Sequence, residues 1–177
     1  GLAYRTDFDL KNHQEHSGRS LTYKDSQTGE EYIPHVIEPT WGLDRTLLAV
    51  LLSSYQESET RSGKEDAVHE TEVILRLPKA LAPIKAAIMP LSRQEKLTKP
   101  AYEIYRNLQK HWMAQYDETA SIGKRYRRQD EIGTPFCITF DFDSLNDKKV
   151  TVRDRDTMEQ ERVAIADLSN YLHEKLA

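Results

Sequence analysis

Residues 32–55 read YIPHVIEPTWGLDRTLLAVLLSSY, and this stretch changes character twice. Its first part, residues 32–38, is rich in β-branched and aromatic side chains, which predicts a strand. Pro39 and Gly42 break it. Leu47, Leu48, Leu51, Leu52 and Tyr55 then recur at helical spacing, so a helix is expected from near Asp44. The turn between strand and helix carries Glu38, Thr40, Asp44 and Arg45. A strand running into a helix N-terminus, with an arginine in the first turn, suits a polyphosphate. Free backbone N–H groups and the positive end of the helix dipole favour an anion, and the guanidinium adds a fork of donors. The competing reading is an ordinary surface helix in which Asp44 caps and Arg45 pairs with it.

The rest of the 177 residues bounds what surrounds this turn. Charged residues are 31% and apolar residues 38%, which fits a globular chain and excludes a disordered or membrane-spanning one. No apolar run approaches the roughly 20 residues of a spanning helix, so no membrane partner is expected. The chain opens GLAYRTDFDL without a Met, so Gly1 is not taken as a natural start. The single cysteine, Cys137, excludes an internal disulfide; it sits in the apolar run PFCITF and reads as a small core residue. A reducing, cytoplasmic compartment is the expectation that follows. Charge is uneven. Residues 1–74 hold 7 Lys and Arg against 14 Asp and Glu, whereas residues 75–177 hold 18 against 15. The less acidic half is where a nucleic-acid surface would lie.

Upstream of the opening stretch, residues 1–10 alternate loosely and predict a strand ending at Asp7 or Asp9. His13 and His16 form a His-x-x-His pair, but no third or fourth ligand stands at useful spacing, so no metal site is expected. Residues 26–31, SQTGEE, are a polar turn. Downstream, residues 56–72 are rich in Glu, Ser and Thr and read as a linker, with a domain boundary near residues 70–78.

From Leu75 strand and helix patterns alternate. Residues 85–91 predict a buried strand. Thr98 is the expected cap of a helix with Pro100 in its first turn and Leu97, Ala101, Ile104, Leu108 and Trp112 on its apolar face. A short strand over 113–117, a basic helix over 121–132 and an apolar strand over 134–142 follow. A turn at Asn146 and Asp147, strands at 150–153 and 162–165, and a last helix capped by Asp167 complete the chain. The order β-α-β-α-β-β-β-α predicts an α/β (α+β) domain with a mixed sheet covered by helices.

Two basic clusters stand out: Lys124, Arg125, Arg127 and Arg128 on one helix, and Arg153-Asp154-Arg155-Asp156 at a strand end. In a strand Arg153 and Arg155 point to one face. Interleaved acids argue against indiscriminate backbone binding and suit hydrogen-bond readout of unstacked bases. The alternative is a solvated surface whose arginines and aspartates pair among themselves.

These residues carry a family likeness. VIEPTWGLDRTLLAVL resembles the third signature motif of class II aminoacyl-tRNA synthetases, in the form used by glycyl-tRNA synthetases. GLAYRTDFDLKNH resembles the strand before it in that family. VILRLPKALAPIKAAIMPL resembles the passage into the family's C-terminal domain. SIGKRYRRQDEIGTPFCITFDFD and VTVRDRDTMEQ are similar to that domain's second helix, central strand and hairpin. The five motifs stand in the family's order across nearly the whole chain, but the two earlier catalytic motifs have no counterpart here. The resemblance thus implies a C-terminal part. Residues 1–58 would close the antiparallel catalytic sheet, 59–78 would be a linker, and 79–177 would be an anticodon-binding domain with a mixed five-stranded sheet flanked by helices.

The resemblance implies a reaction too: glycine joined to AMP from ATP, then transferred to tRNA(Gly), with Mg²⁺ on the ATP phosphates, in a homodimer whose main interface lies upstream. By that likeness Arg45 would hold the γ-phosphate, and Gly42, Leu43 and Asp44 would complete the ATP turn. Arg5, Glu38, Pro39, Thr40, Trp41 and Gly42 would surround glycine, with Glu38 at its ammonium group. Thr40 stands where the family most often has serine; its extra methyl would help exclude larger amino acids. Ser121, Arg125, Arg128, Asn146, Arg153 and Arg155 would meet the anticodon. An RNA-binding module or accessory subunit derived from a synthetase is the alternative, disfavoured because Glu38, Gly42 and Arg45 are all kept.

Overall fold

The computed structural model describes residues 1–59 and 71–176. The chain divides into two compact units, Gly1–Leu48 and Ala49–Ala177. The first holds β1 (Leu2–Thr6), α1 (Phe8–Ser17), β2 (Tyr23–Lys24), β3 (Glu31–Tyr32), β4 (Val36–Pro39) and the start of α2 (Leu43–Ser54). β1 and β4 pair antiparallel, with Ala3 opposite Glu38 and a bulge between Tyr4 and Thr6. The single strand expected over 32–38 is two. Pro34 has no N–H to give a ladder, and the chain changes partner across it: Tyr32 pairs with Tyr23 in β2, whereas Val36 onward pairs with β1. The polar turn before β3 is built on Asp25, whose Oδ1 accepts from the N–H groups of Gln27 and Thr28 at 2.7 and 2.9 Å.

α1 was not expected from the sequence. It buries no residue and has no apolar stripe, so periodicity could not signal it. No residue of Gly1–Leu48 is buried. Leu2, Ile37, Trp41, Leu43, Leu47 and Leu48 are all exposed, so β1, β4 and the start of α2 gather no core of their own.

The second unit continues with the end of α2, β5 (Tyr55–Glu59), β6 (Thr71–Leu75), β7 (Ala86–Pro90), α3 (Glu95–Leu108) and β8 (Ala114–Tyr116). It closes with α4 (Ile122–Glu131), β9 (Phe136–Phe140), the helical turn α5 (Ser144–Asp147), β10 (Lys149–Asp154), β11 (Gln160–Ala164) and α6 (Leu168–Leu176). Residues 60–70, most of the predicted linker, lie outside the described residues. Its described ends are strands, because β5 and β6 pair antiparallel from Tyr55 opposite Leu75 to Glu59 opposite Thr71. The Arg76 N–H donates to Ser54 O at 2.7 Å, fastening the end of α2 beside β6.

The core is a five-stranded mixed sheet in the order β11-β10-β9-β7-β8. β7 runs parallel to β8 and β9, and β10 is antiparallel to β9 and β11. Every residue of β7 and β9 is buried, as expected for central strands covered on both faces. Alternation divides them. Ala86, Ile88, Phe136, Ile138 and Phe140 meet α3 and α6 residues on one face. Ala87, Met89 and Cys137 meet Ile122 and Tyr126 of α4 on the other. The predicted mixed sheet and its element order are therefore borne out, with α5 added where a turn was expected. α3 begins at Glu95, ahead of the expected cap at Thr98. Burial of Leu97 draws that turn into the helix, Lys99 pairs with Glu95 at 2.6 Å, and Pro100 lies inside. Among the described residues no helix is long and apolar enough to cross a membrane.

Gly133 ends α4 with φ +81°, and a Cβ there would stand 2.9 Å from Leu75 O. Gly133→Ala is expected to destabilise the second unit by about 1–3 kcal/mol, since the residue meets both a backbone penalty and a backbone clash. Urea unfolding followed by the fluorescence of Trp112, which packs on the core, measures it.

Candidate functional site

In the first unit the strand pair brings Arg5 and Glu38 together. Ala3 faces Glu38, and Arg5 lies two residues on, in the bulge between Tyr4 and Thr6. Arg5 Nε stands 3.8 Å from Glu38 Oε2. The guanidinium fork is oriented by Asp9, receiving Nε–H at 2.9 Å and NH2 at 2.7 Å. Asp9 was missed in the sequence, although it stands four residues from Arg5 and in the first turn of α1. Glu38 thus has an arginine beside it that is already held by another carboxylate, which leaves its own oxygens accessible to a cation.

The turn that follows is shaped by Gly42, whose carbonyl accepts from the N–H and the hydroxyl of Thr46 at 3.0 and 2.9 Å. Pro39 ends β4 and Leu43 opens α2. Thr40, Trp41 and Asp44 lie exposed on the turn. Arg45 is exposed and makes no ion pair with any described residue, so the surface reading in which Asp44 holds it does not apply. Glu38, Gly42 and Arg45 therefore occupy one strand–turn–helix with the guanidinium unengaged by any described residue. Among the described residues there is no group of three or more His, Cys, Asp or Glu able to hold a metal. His16 Nδ1 lies 2.9 Å from Asn12 O within α1.

In the second unit the six residues predicted to meet an anticodon separate to opposite ends of the sheet. The carboxyl ends of β7, β8 and β9 share one edge, where loops 91–94, 117–121 and 141–148 emerge. Such an edge is where open α/β sheets bind ligands. Ser121 is exposed there and precedes α4. Asn146 is exposed on α5. The Arg128 side chain, 43% exposed, donates to Asp117 Oδ2 at 2.5 Å and to Thr119 O at 2.7 Å. Arg153 ends against the start of β9, pairing with Cys137, and so lies at the far edge with Arg155.

Three of the six are interior residues, which corrects the expectation that they face solvent. Arg125, 3% exposed, donates to Pro90 O at 2.6 Å, Asp117 O at 3.3 Å and Leu91 O at 3.4 Å, pinning the loops after β7 and β8 from below. Arg153 makes a two-fold pair with Asp130 at 3.0 and 2.9 Å and stacks over Tyr126 at 4.8 Å. Burial works to lower its pKa, but the Asp130 carboxylate wins and raises it. Arg155, 2% exposed, uses all five N–H donors. NH1 reaches Leu75 O and Gly133 O, NH2 reaches Leu77 O and Asp156 Oδ2, and Nε reaches Asp156 Oδ1, all within 2.8–3.1 Å. A guanidinium so placed has no donor left for a base.

The rim was the part sequence reasoning saw least. Arg93 Nε donates to Glu118 O at 2.9 Å, and Arg162 joins Asp141 and Asp147 at 2.6 and 2.7 Å. Asp117, Asp141 and Asp154 all lie below the usual carboxylate range. Burial opposes this in each. It is outweighed by donors from Thr119 and Arg128, from Ser144 and Arg162, and from Lys79 with the N–H groups of Asp156 and Thr157, respectively.

A five-stranded mixed sheet with helices on both faces and a rim of loops pinned by arginines defines the class, an α/β binding domain. The particular family follows from comparison: residues 85–175 match the anticodon binding domain family, and the chain belongs to it. It is 57% identical to the glycine–tRNA ligase of Caldanaerobacter subterraneus subsp. tengcongensis, over 99% of this chain and 36% of that protein. It is 55% identical to the glycine–tRNA ligase of Geobacillus kaustophilus, over 100% of this chain and 37% of that protein. The chain thus spans little more than a third of the length of these curated relatives. Among solved structures, the RNA binding domain of threonyl-tRNA synthetase from Cryptosporidium parvum Iowa II is 27% identical, with a TM-score of 0.51 over 56% of this chain and 25% of that one. The prolyl-tRNA synthetase from Cryptosporidium parvum, 18% identical, shares the fold with a TM-score of 0.60 over 88% of this chain and 30% of that one.

Two outcomes test this reading of the side chains. Arg155→Met should cost about 3–5 kcal/mol, since it takes the guanidinium from the buried Leu77 and Gly133 carbonyls and from Asp156, and Arg155→Lys should not rescue it because a point ammonium lacks the fork. Arg128→Ala, on the exposed rim, should cost about 1 kcal/mol or less; urea midpoints compare the three. The depressed carboxylates set the pH dependence. Their stabilisation is present above the unfolded value of about 3.9 and is lost as pH falls through the lower folded values. The Tm should hold from about pH 7 to 5 and fall below about 4, and Asp141→Asn should shrink that acid loss.

Proposed function

We propose that this chain is the C-terminal part of a glycine–tRNA ligase, with residues 1–58 as the end of its catalytic domain and 79–177 as its anticodon-binding domain. The observation that carries the reading is the end-to-end match to ligases of that name at 53–57% identity. It takes in the Glu38–Arg45 turn and the anticodon binding domain together, in one order. The accessible Glu38 carboxylate suits the glycine ammonium. The unengaged Arg45 at the start of α2 suits the polyphosphate of ATP, whose Mg²⁺ would arrive with the phosphates as part of the substrate. Arg5, Pro39, Thr40, Trp41, Gly42, Leu43 and Asp44 would line the same turn. The catalytic contribution of such a wall is positioning and charge stabilisation.

The exposed apolar faces of β1, β4 and α2 support the same reading, because residues 1–48 supply no core to cover them. The remaining walls of the site would come from the part of the relatives' length that this chain does not span. Dimerisation and a cytoplasmic location belong to the whole ligase in this reading. At the other end, the exposed Ser121, Arg128 and Asn146 are the tRNA contacts we retain, whereas Arg125, Arg153 and Arg155 support the scaffold behind them.

The 177-residue chain is expected to bind a glycine-tRNA transcript in fluorescence anisotropy, with affinity falling as salt rises. It is expected to give no glycine-dependent ATP–pyrophosphate exchange. Asn146→Ala should weaken tRNA binding by about 1–3 kcal/mol if it reads a base, with the thermal midpoint unchanged. Exchange activity by this chain alone, or equal affinity for unrelated tRNAs, would overturn the reading.

A further inference from the structure

Next to the rim, between α3 and the edge strand β8, three tyrosines gather at the surface. Tyr102, Tyr105 and Tyr116 meet pairwise with ring centroids 5.5, 5.4 and 5.9 Å apart. Helical spacing sets Tyr102 and Tyr105 on one side of α3, and Tyr116 closes the group from the end of β8. Two of the rings are held by their hydroxyls: Tyr116 donates to Glu118 Oε2 at 2.8 Å, and Gln109 Nε2 donates to Tyr105. Tyr102 stands outermost and remains 48% exposed. An open groove of about 460 Å³ runs along it, lined by Thr98, Lys99, Tyr102, Glu103, Tyr116 and Glu118.

This combination is not that of an ordinary solvated helix face. Two fixed rings hold a third in place, so its flat side is offered at little entropic cost. A base stacks on such a ring whatever its sequence. The two glutamates repel a phosphate from the groove and accept N–H groups from the edge of a base. Lys99 stands on the same wall, paired with Glu95 at 2.6 Å. The occupant that fits is a nucleotide with its base inward and its phosphate outward.

We propose that this groove receives one unstacked nucleotide of the bound RNA, stacked on Tyr102 with its base edge toward Glu103 and Glu118. The groove adjoins loop 117–121, so the nucleotide neighbours those met by the rim. The proposal rests on the tRNA-binding reading above. The carboxylates favour guanine, which presents an N–H and an NH₂ side by side, over uracil, whose single N–H is flanked by two acceptor oxygens.

The test is the affinity of the full 177-residue chain for a glycine-tRNA transcript, with Tyr102 varied. Tyr102→Ala should weaken binding about 5- to 150-fold, the effect of losing one stacked base. Tyr102→Leu, which keeps apolar cover over Tyr105 and Tyr116, should weaken it similarly, whereas Tyr102→Phe should stay within about two-fold. Ultraviolet cross-linking of the wild-type complex should join Tyr102 or Tyr116 to RNA. If Tyr102→Ala and Tyr102→Leu bind like wild type while Asn146→Ala does not, the groove is not an RNA site, though the tRNA-binding reading stands. Binding of a decaproline peptide in the groove with RNA affinity unmoved by Tyr102→Ala would also overturn the proposal. Failure of the wild-type chain to bind any tRNA overturns both.

Discussion

The guanidinium of Arg155 lies where two separate segments of backbone turn three carbonyls toward it. Leu75 and Leu77 come from the segment entering the sheet, and Gly133 from the end of α4. A buried acceptor without a donor costs about 1–3 kcal/mol. One planar group with five donors serves all three and still binds Asp156 on two sides. Its neighbours extend the same lock. Asp156 also takes Arg76, Asp154 takes Lys79 at 2.9 Å, and Arg153 takes Asp130. The sequence Arg153-Asp154-Arg155-Asp156 is thus one seam along the hairpin, in which each charge faces a residue far away in the chain. A buried ion pair on its own is weak evidence for stability. Here the group also satisfies backbone that an apolar replacement would strand.

This seam gives the two edges of the sheet different work. At the Arg155 edge the Arg153 and Arg155 guanidiniums are turned inward and consumed. At the opposite edge, where β7, β8 and β9 end in parallel, Arg125 is buried too, but what its two NH groups hold is the loops themselves. Ser121, Asn146 and the outer side of Arg128 are presented on a frame that Arg93, Arg125 and Arg162 keep still. A binding edge needs such support, because a loop side chain that can drift loses the entropy advantage of a fixed donor. The arginines of this domain are mostly joinery, and in our reading the less conspicuous residues they position would be the readers.

How far this was legible in the sequence follows from what each signal measures. Periodicity measures burial, so it found β7, α3 and β9, whose apolar residues are buried, and missed α1, which buries nothing. It joined β3 and β4 because their side chains are alike, although Pro34 divides them and each half has a different partner. Charge patterning was the weakest guide. Arg153 lies near the end of β10 and Arg155 in the turn beyond it, and whether each side chain meets solvent or interior depends on Asp130 and on Leu75 to Lys79, some 20 to 80 positions away. Nothing local marks that difference. The Glu38–Arg45 turn was legible because all its parts lie within a few residues. Asp9, which orients the Arg5 fork, could be found only by supposing a helix that had no periodic signature.

The two units also differ in what they require from outside. The second closes its sheet with helices on both faces, and the burial of Ile88, Ile138, Leu97 and Leu172 accounts for its cohesion. The first has strand pairing and ion pairs such as Lys11 with Asp7 but no buried side chain, and exposed ion pairs stabilise little. Its Glu38 and Arg45 are therefore set on a backbone whose apolar side still faces water. For the polyphosphate-binding role we propose for this turn, that exposure matters. Donors act strongly only where water is excluded, and in residues 1–48 nothing excludes it. In our reading the same surface that covers Ile37, Leu43 and Leu47 would dry the turn and give Arg45 its strength, so the fold and the chemistry of this segment would be completed by one event.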